Sequence, residues 1–126
     1  MTTMVYFTSA GSAYCLPVEA TRSVRTSAGI RALPGAGPDI VGMVPGEPPL
    51  TVISVLGSGG SHILVLEIGG TTFGLLVDQV TGLRRVGAAD ICSVPRGQHR
   101  AFISGTIDTD GELVLVADPI ALSAQL

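Results

Sequence analysis

Residues 62–86, HILVLEIGGTTFGLLVDQVTGLRRV, restrict the fold more than any other stretch of the chain. Apolar residues run from Ile63 to Ile68, broken only by Glu67, and again from Phe73 to Val77. Both runs are short and rich in branched side chains, which marks buried strands and not helices. Gly69 and Gly70 lie between them and tolerate the positive φ values of a tight hairpin turn. The polar equipment that follows is sparse: one carboxylate, Asp78, and a basic doublet, Arg84-Arg85. Two buried strands with so few functional groups point to a chain that binds another protein and catalyses nothing.

The remainder repeats this strand-and-turn pattern. MVYFTSA and AYCLPV flank Gly11-Ser12 and read as a hairpin. EATRSVRT fits either a strand edge or one helical turn. Residues 27–50 contain Pro34, Pro38, Pro45, Pro48 and Pro49, which exclude a long helix and confine any strand there to a sheet edge. LTVISVL is a short strand, and GSGGS at 57–61 reads as a flexible linker between two halves. GLRRV and DICSV are shorter strand-like pieces. AFISGTID and ELVLVAD flank a turn in which Asp110-Gly111 is a strong type I′ signal. Only DPIALSAQL reads as helical, with Asp118 as N-cap and Pro119 in the first turn. Many short strands with Gly-rich turns and almost no helix imply an all-β sandwich or small barrels.

Composition excludes several classes. Hydrophobic residues make up 46% of the 126 residues and charged residues 13%, so the chain can bury a core and is not disordered. No apolar stretch reaches the ~18 residues of a membrane helix, and the opening MTTMVYFTSAG lacks the basic and apolar regions of a secretory leader. A soluble cytoplasmic protein is expected. The net charge is −3 and the seven basic residues are all Arg, without a basic stripe, which argues against nucleic acid as partner. Cys15 and Cys92 are expected as two free, mostly buried thiols.

No motif carries catalysis or a metal. Asp108, Asp110 and Gly111 would fill the third, fifth and sixth places of a calcium loop. That register puts Thr106 and Ala117 where its anchoring carboxylates belong. His62 and His99 have no Cys or His at ligand spacing and read as loop residues. Cys15 lies in an apolar strand, where a thiolate is disfavoured, and Cys92 alternates similarly. Asp78 has no second carboxylate at pairing distance; it reads as a strand-end hydrogen-bond acceptor. Arg84-Arg85 reads as a charged strand edge. Catalytic, cofactor and metal residues are accordingly expected to be none.

The order of the blocks is more informative. AYCLPVEATRSV, GMVPGEPPLTVISV, ILVLEIGGTTFGLLVDQVTGLRRV and FISGTIDTDGELVLVADPIAL resemble the successive blocks of the CheW-like domain, the family of the bacterial chemotaxis adaptor and of the regulatory domain of the CheA histidine kinase. GLLVDQV resembles the family's G-L-[LV]-V-D-x-V, and ISGTIDTDGELVLVAD its I-x-G-x-x-x-x-D-G-x-[LV]-V-x-[LI]-x-D. The resemblance implies two small five-stranded SH3-like barrels packed side by side and a short C-terminal helix. The chain would be a single domain with a first lobe over residues 15–56, a second over 62–117, and termini crossing between lobes. It implies a non-catalytic cytoplasmic adaptor without cofactor, coupling a chemoreceptor tip to a CheA-type kinase at membrane-associated sensory arrays.

The first half departs from that pattern. The family's V-x-E-V falls on Thr21, Arg22, Ser23 and Val24; its N-L-R-G falls on Met43, Val44, Pro45 and Gly46; its P-V-I-D-L falls on Thr51 to Val55. A glutamate, an arginine and an aspartate linked to partner contacts are therefore replaced. The expected partner surface is an apolar groove walled by Val18, Thr21, Ser23 and Val24 on one side and Gly42, Val44, Pro45 and Gly46 on the other, with Arg84 and Arg85 as a charged alternative. Gly69, Gly70, Asp78, Asp110 and Gly111 are expected to be turn residues. A small ligand-binding or enzymatic β-barrel, or a self-associating module outside chemotaxis, remains the alternative; an enzyme would bring titratable groups to one pocket.

Overall fold

The computed structural model describes residues 1–54, 56, 60–94 and 102–126. The middle of the expected linker and the RGQHR loop with His99 lie outside the described residues. Within them the strands are β1 (Thr2–Ser9), β2 (Ser12–Pro17), β3 (Thr21–Thr26), β4 (Ile40–Val44), β5 (Leu50–Ile53), β6 (His62–Ile68), β7 (Thr71–Val77), β8 (Gln79–Val86), β9 (Ile103–Thr109) and β10 (Glu112–Ala117). Short 3-10 turns occupy Val18–Ala20 and Ala88–Asp90, and helix α1 spans Pro119–Ser123. The Asp118 carboxylate accepts from the Ile120 amide at 3.0 Å and caps α1, as the sequence indicates.

The strands form two five-stranded sheets, ordered β8-β1-β2-β10-β9 and β3-β6-β7-β5-β4. Antiparallel hairpins dominate, with one parallel pair in each sheet, β2 with β10 and β5 with β7. Pro-rich residues 27–50 contribute only the edge strand β4 and the start of β5, as expected of chain that cannot donate a full hydrogen-bond ladder. EATRSVRT is part 3-10 turn and part strand. The first hairpin turns at Ala10 (φ 50°) and Gly11 (φ 81°), one residue earlier than the sequence suggests. DICSV contributes a single bridge, Cys92 with Thr106, and no strand.

The division between the sheets differs from the expected lobes. β6 and β7 pair with β3 and β5, while β8, β9 and β10 join β1 and β2. The chain changes sheet at Val18–Ala20 and again at Asp78, the one residue between β7 and β8. The Gly-rich stretch at 57–61 instead connects two strands of the same sheet. Composition marks a break there, but hydrogen-bond pairing decides sheet membership, and β5 and β6 both pair with β7.

Side-chain alternation sorts the core into three clusters. In β1, Met4 and Tyr6 turn into the first sheet's own interior with Cys15, Val86, Ile107, Val114 and Val116. Val5 and Phe7 turn the other way, toward the second sheet. In β6, Ile63 and Val65 line the second sheet's interior with Val44, Val52 and Leu76, while Leu64 and Leu66 meet Phe7, Tyr14 and Leu16 between the sheets. This explains the unbroken apolar runs at 63–66 and 73–77: the strands are buried on both faces. Val86 and Ile107, from opposite edges of the first sheet, share one cluster, so that sheet curls on itself.

Cys15 is fully buried, whereas Cys92 is exposed, contrary to the expectation of two buried thiols. Cys92 lies where the chain bridges β9 at the surface and packs against no core cluster. Both are free. Burial pushes the Cys15 thiol up to about 12.

Two outcomes follow. A β-carbon on Gly74 would lie 2.6 Å from Ile63 Cγ2 and 3.3 Å from Val52 Cγ2. Gly74→Ala should lower stability by about 1–3 kcal/mol through overpacking, read as a lower urea midpoint at constant slope. The folded chain keeps the Cys15 proton to about pH 12 while the unfolded thiol loses it near its ordinary value of 9.0. Stability should therefore be intact below pH 9 and fall from there toward pH 12. Tyr6, also raised, chiefly by burial, adds to the decline, so Cys15→Ala should give a shallower alkaline slope in pH-dependent denaturation and not a flat one.

Candidate partner-binding groove

A groove of about 250 Å³ runs between the two sheets. The first sheet supplies Val5 from β1 and Val80 and Leu83 from β8; the other wall is Val18, Leu64 and the outward residues of β3. Leu83 is 62% exposed and Val24 46%, so the groove presents apolar surface to solvent.

Local irregularities of the chain shape both walls. β3 slips register against β6 between Thr21 and Ser23, leaving Arg22 unpaired in the ladder. Such a bulge bends the strand and redirects a side chain. The Arg22 guanidinium swings onto Glu67, with Nε donating to Oε2 at 3.0 Å and Nη2 to Oε1 at 2.6 Å. This forked pair raises the Arg22 pKa and occupies the one charged group of the groove lining. Thr21 Oγ1 donates to the Val18 carbonyl at 2.8 Å, so this hydroxyl is also satisfied inside the chain. On the opposite wall the register of β8 against β1 shifts between Tyr6 and Phe7, which face Gly82 and Val80. Thr81 is the extra residue, and Val80 and Leu83, three apart, reach the same groove.

Val18, Thr21, Ser23 and Val24 thus lie together as the sequence proposed. Gly42, Val44, Pro45 and Gly46 do not form the facing wall. β4 is the far edge of the second sheet, with β6, β7 and β5 between it and β3. Val44 is 7% exposed and packs into the sheet interior with Leu50 and Val65. Gly42 is pressed against the Arg31 carbonyl, where a β-carbon would collide. Pro45 and Gly46 are exposed and line no part of the groove. The real second wall is β1 and β8, whose Val5, Val80 and Leu83 the sequence reading missed. The bulge at Thr81 hides Val80 and Leu83, because it breaks the alternation by which a strand face is recognised.

Arg84 and Arg85 lie on the edge strand β8, the Arg84 guanidinium 5.3 Å from the centre of the Tyr6 ring. Gly69 (φ 57°) with Gly70 (φ 84°), and Asp110 (φ 51°) with Gly111 (φ 80°), form the two expected left-handed turns. Asp78 holds the sheet-to-sheet crossing through its main chain. Its N–H donates to the Thr8 carbonyl at 2.8 Å, and its carbonyl accepts from Ser61 Oγ and bonds His62 Nδ1, both at 2.9 Å. The expected role for its carboxylate is corrected accordingly: no side-chain hydrogen bond of Asp78 joins the described residues. His62 is thereby a partner of the crossing and not a solvated loop residue. Among the described residues no three His, Cys, Asp or Glu side chains gather as a metal set.

The family model of the CheW-like domain matches residues 45–126, nearly two thirds of the chain. The chain belongs to the CheW-like domain family. The fold is also that of the scaffolding protein TtCheW from Thermoanaerobacter tengcongensis, with a TM-score of 0.81 at 23% identity over 93% of this chain and 88% of that one. No curated protein sequence matches the chain. The family match begins at Pro45, after β3 and β4 and before the departure at Thr51 to Val55, while the structural likeness extends over almost the whole length.

The burial of Val44 sets an outcome opposite to that of a surface site. Val44→Asp places an unpaired carboxylate in the second sheet's interior and should cost about 3–5 kcal/mol, seen as a large drop in melting temperature.

Proposed function

We propose that this chain is a non-catalytic adaptor of a bacterial chemosensory system, holding a CheA-type histidine kinase and the cytoplasmic tip of a chemoreceptor in one assembly. Membership of the CheW-like family and a fold shared with a scaffolding protein support the reading. No helix among the described residues is long and apolar enough to cross a membrane, in keeping with attachment to an array through partners.

The observation that carries it is the open apolar groove between the sheets. An α-helix presents apolar side chains at i, i+3, i+4 and i+7, and a groove lined by Val and Leu from two walls accepts such a stripe. Its one charged side chain is tied to Glu67. Recognition therefore rests on apolar burial, at roughly 25 cal/mol per Å², with little contribution from ion pairs that salt would screen.

The test is titration of the chain with the helical-hairpin tip of a chemoreceptor from the same cell, at low and high salt. Leu83→Asp, at an exposed position, should leave the melting temperature nearly unchanged and weaken binding at least about tenfold, the equivalent of ~1.4 kcal/mol. Wild-type binding should persist in high salt. Unaltered affinity of Leu83→Asp, or a wild-type complex that dissociates in moderate salt, would remove the groove as the binding site.

A further inference from the structure

Outside the groove, β8 also borders a slot of about 510 Å³ between the two edges of the first sheet. Arg84 and Arg85 stand on one side. Asp108 of β9 and Asp110 of the following turn line the slot with them, and Asp90 of the second 3-10 turn completes the charged lining. Beneath it Val86 and Ile107 share one core cluster, which fixes the two edges relative to each other.

These charges are not spent inside the chain. The ion pair of the described residues is Arg22 with Glu67. Arg84 rests over Tyr6, and Asp90 accepts from the Gly87 amide at 3.0 Å. Among the described residues, Arg85, Asp108 and Asp110 form no ion pair.

We propose that this slot is a self-complementary contact surface through which two copies of the chain pair about a two-fold axis, Arg84 and Arg85 of each meeting Asp108 and Asp110 of the other. A surface of one sign selects a partner of the opposite sign. Here the slot sets two guanidinium groups beside three carboxylates, so a simple anion meets the carboxylates and a simple cation meets the arginines. A two-fold rotation, in contrast, brings each sign onto its opposite and forms every contact twice. Exposed pairs are individually weak and screened by salt, so the dimer is reversible and dissociates as ionic strength rises. The slot and the groove have no lining residue in common.

Sedimentation velocity of the full chain over a wide concentration range, at low and high salt, tests the proposal. Wild type should dimerise reversibly at low salt and return to monomer at high salt. Arg84→Glu with Arg85→Glu, and separately Asp108→Arg, should each weaken self-association at least about tenfold, because contacts of opposite sign become contacts of like sign. An equimolar mixture of the two variants should restore the dimer, since both symmetric contacts are then again between opposite charges. Circular dichroism verifies folding, and Arg85→Glu alone, which leaves the Arg84–Tyr6 contact in place, repeats the test if the double variant is perturbed. A wild-type monomer at the highest concentration in low salt overturns the proposal. So does a dimer indifferent to charge reversal, or a mixture no better associated than its components.

Discussion

The two-sided burial of β6 and β7 is the constraint from which the rest of the structure follows. One face of each strand fills the interior of the second sheet, and the other packs against β1 and β2 of the first. Phe73, Leu75 and Val77 share the inter-sheet cluster with Phe7 and Tyr14, whose rings stack at 5.6 Å. The Tyr14 hydroxyl donates to the Leu56 carbonyl at 3.3 Å, so the most polar atom of that stack also has a partner. With so much apolar surface committed at the interface, the two sheets behave as one packing unit. The groove is what remains of that interface at its rim, where the buried Val5 and Leu64 lie beneath the exposed Val24 and Leu83.

Much of the fold was legible because its signals are local. Gly69-Gly70 and Asp110-Gly111 require left-handed backbone, and the apolar runs beside them admit little but strands. Asp118-Pro119 marks the start of α1. The sheet boundary was not legible. The step from β7 to β8 occurs at Asp78 with no change in composition, while the conspicuous Gly-rich stretch lies within one sheet's connections. A boundary set by long-range pairing leaves no local trace, whereas a Gly-rich composition is conspicuous whatever it joins. The candidate site was half legible for a related reason. Val18 to Val24 could be placed on a partner surface through their family positions, but the bulges at Arg22 and Thr81 displace the alternation that assigns a side chain to a face. Val44 failed in the other direction: the family position suggested a surface, and the register puts the side chain inside.

Divergence of the first half changed the chemistry of the surface and not the fold. The residues that matter to packing there, such as Val5, Phe7, Tyr14 and Leu16, are apolar and deeply buried, and the structural likeness to a scaffolding protein spans nearly the whole chain. The β3 residues that depart from the family pattern, Thr21 and Ser23, lie toward solvent. Arg22, at the variable position between them, makes a bidentate contact to Glu67 of the neighbouring strand, which leaves its guanidinium largely committed. A partner surface so arranged exchanges long-range attraction for apolar contact. Slower encounter and weaker salt dependence are the physical consequences, since electrostatic steering acts mainly on the rate of association.

The strand β8 carries both surfaces. Val80 and Leu83 reach the groove, and Arg84 and Arg85, next along the chain, line the charged slot. It is bonded to the sheet on one side only, to β1, and its register is already broken once at Thr81. An edge strand with a bulge is easier to displace than a central one, because half its backbone groups are held by no ladder. Occupation of the groove bears on Leu83, and occupation of the slot bears on the next two residues of the same backbone. The buried β6–β7 pair therefore fixes how the two sheets sit, and β8, anchored at Val86, presents side chains to the groove and to the slot.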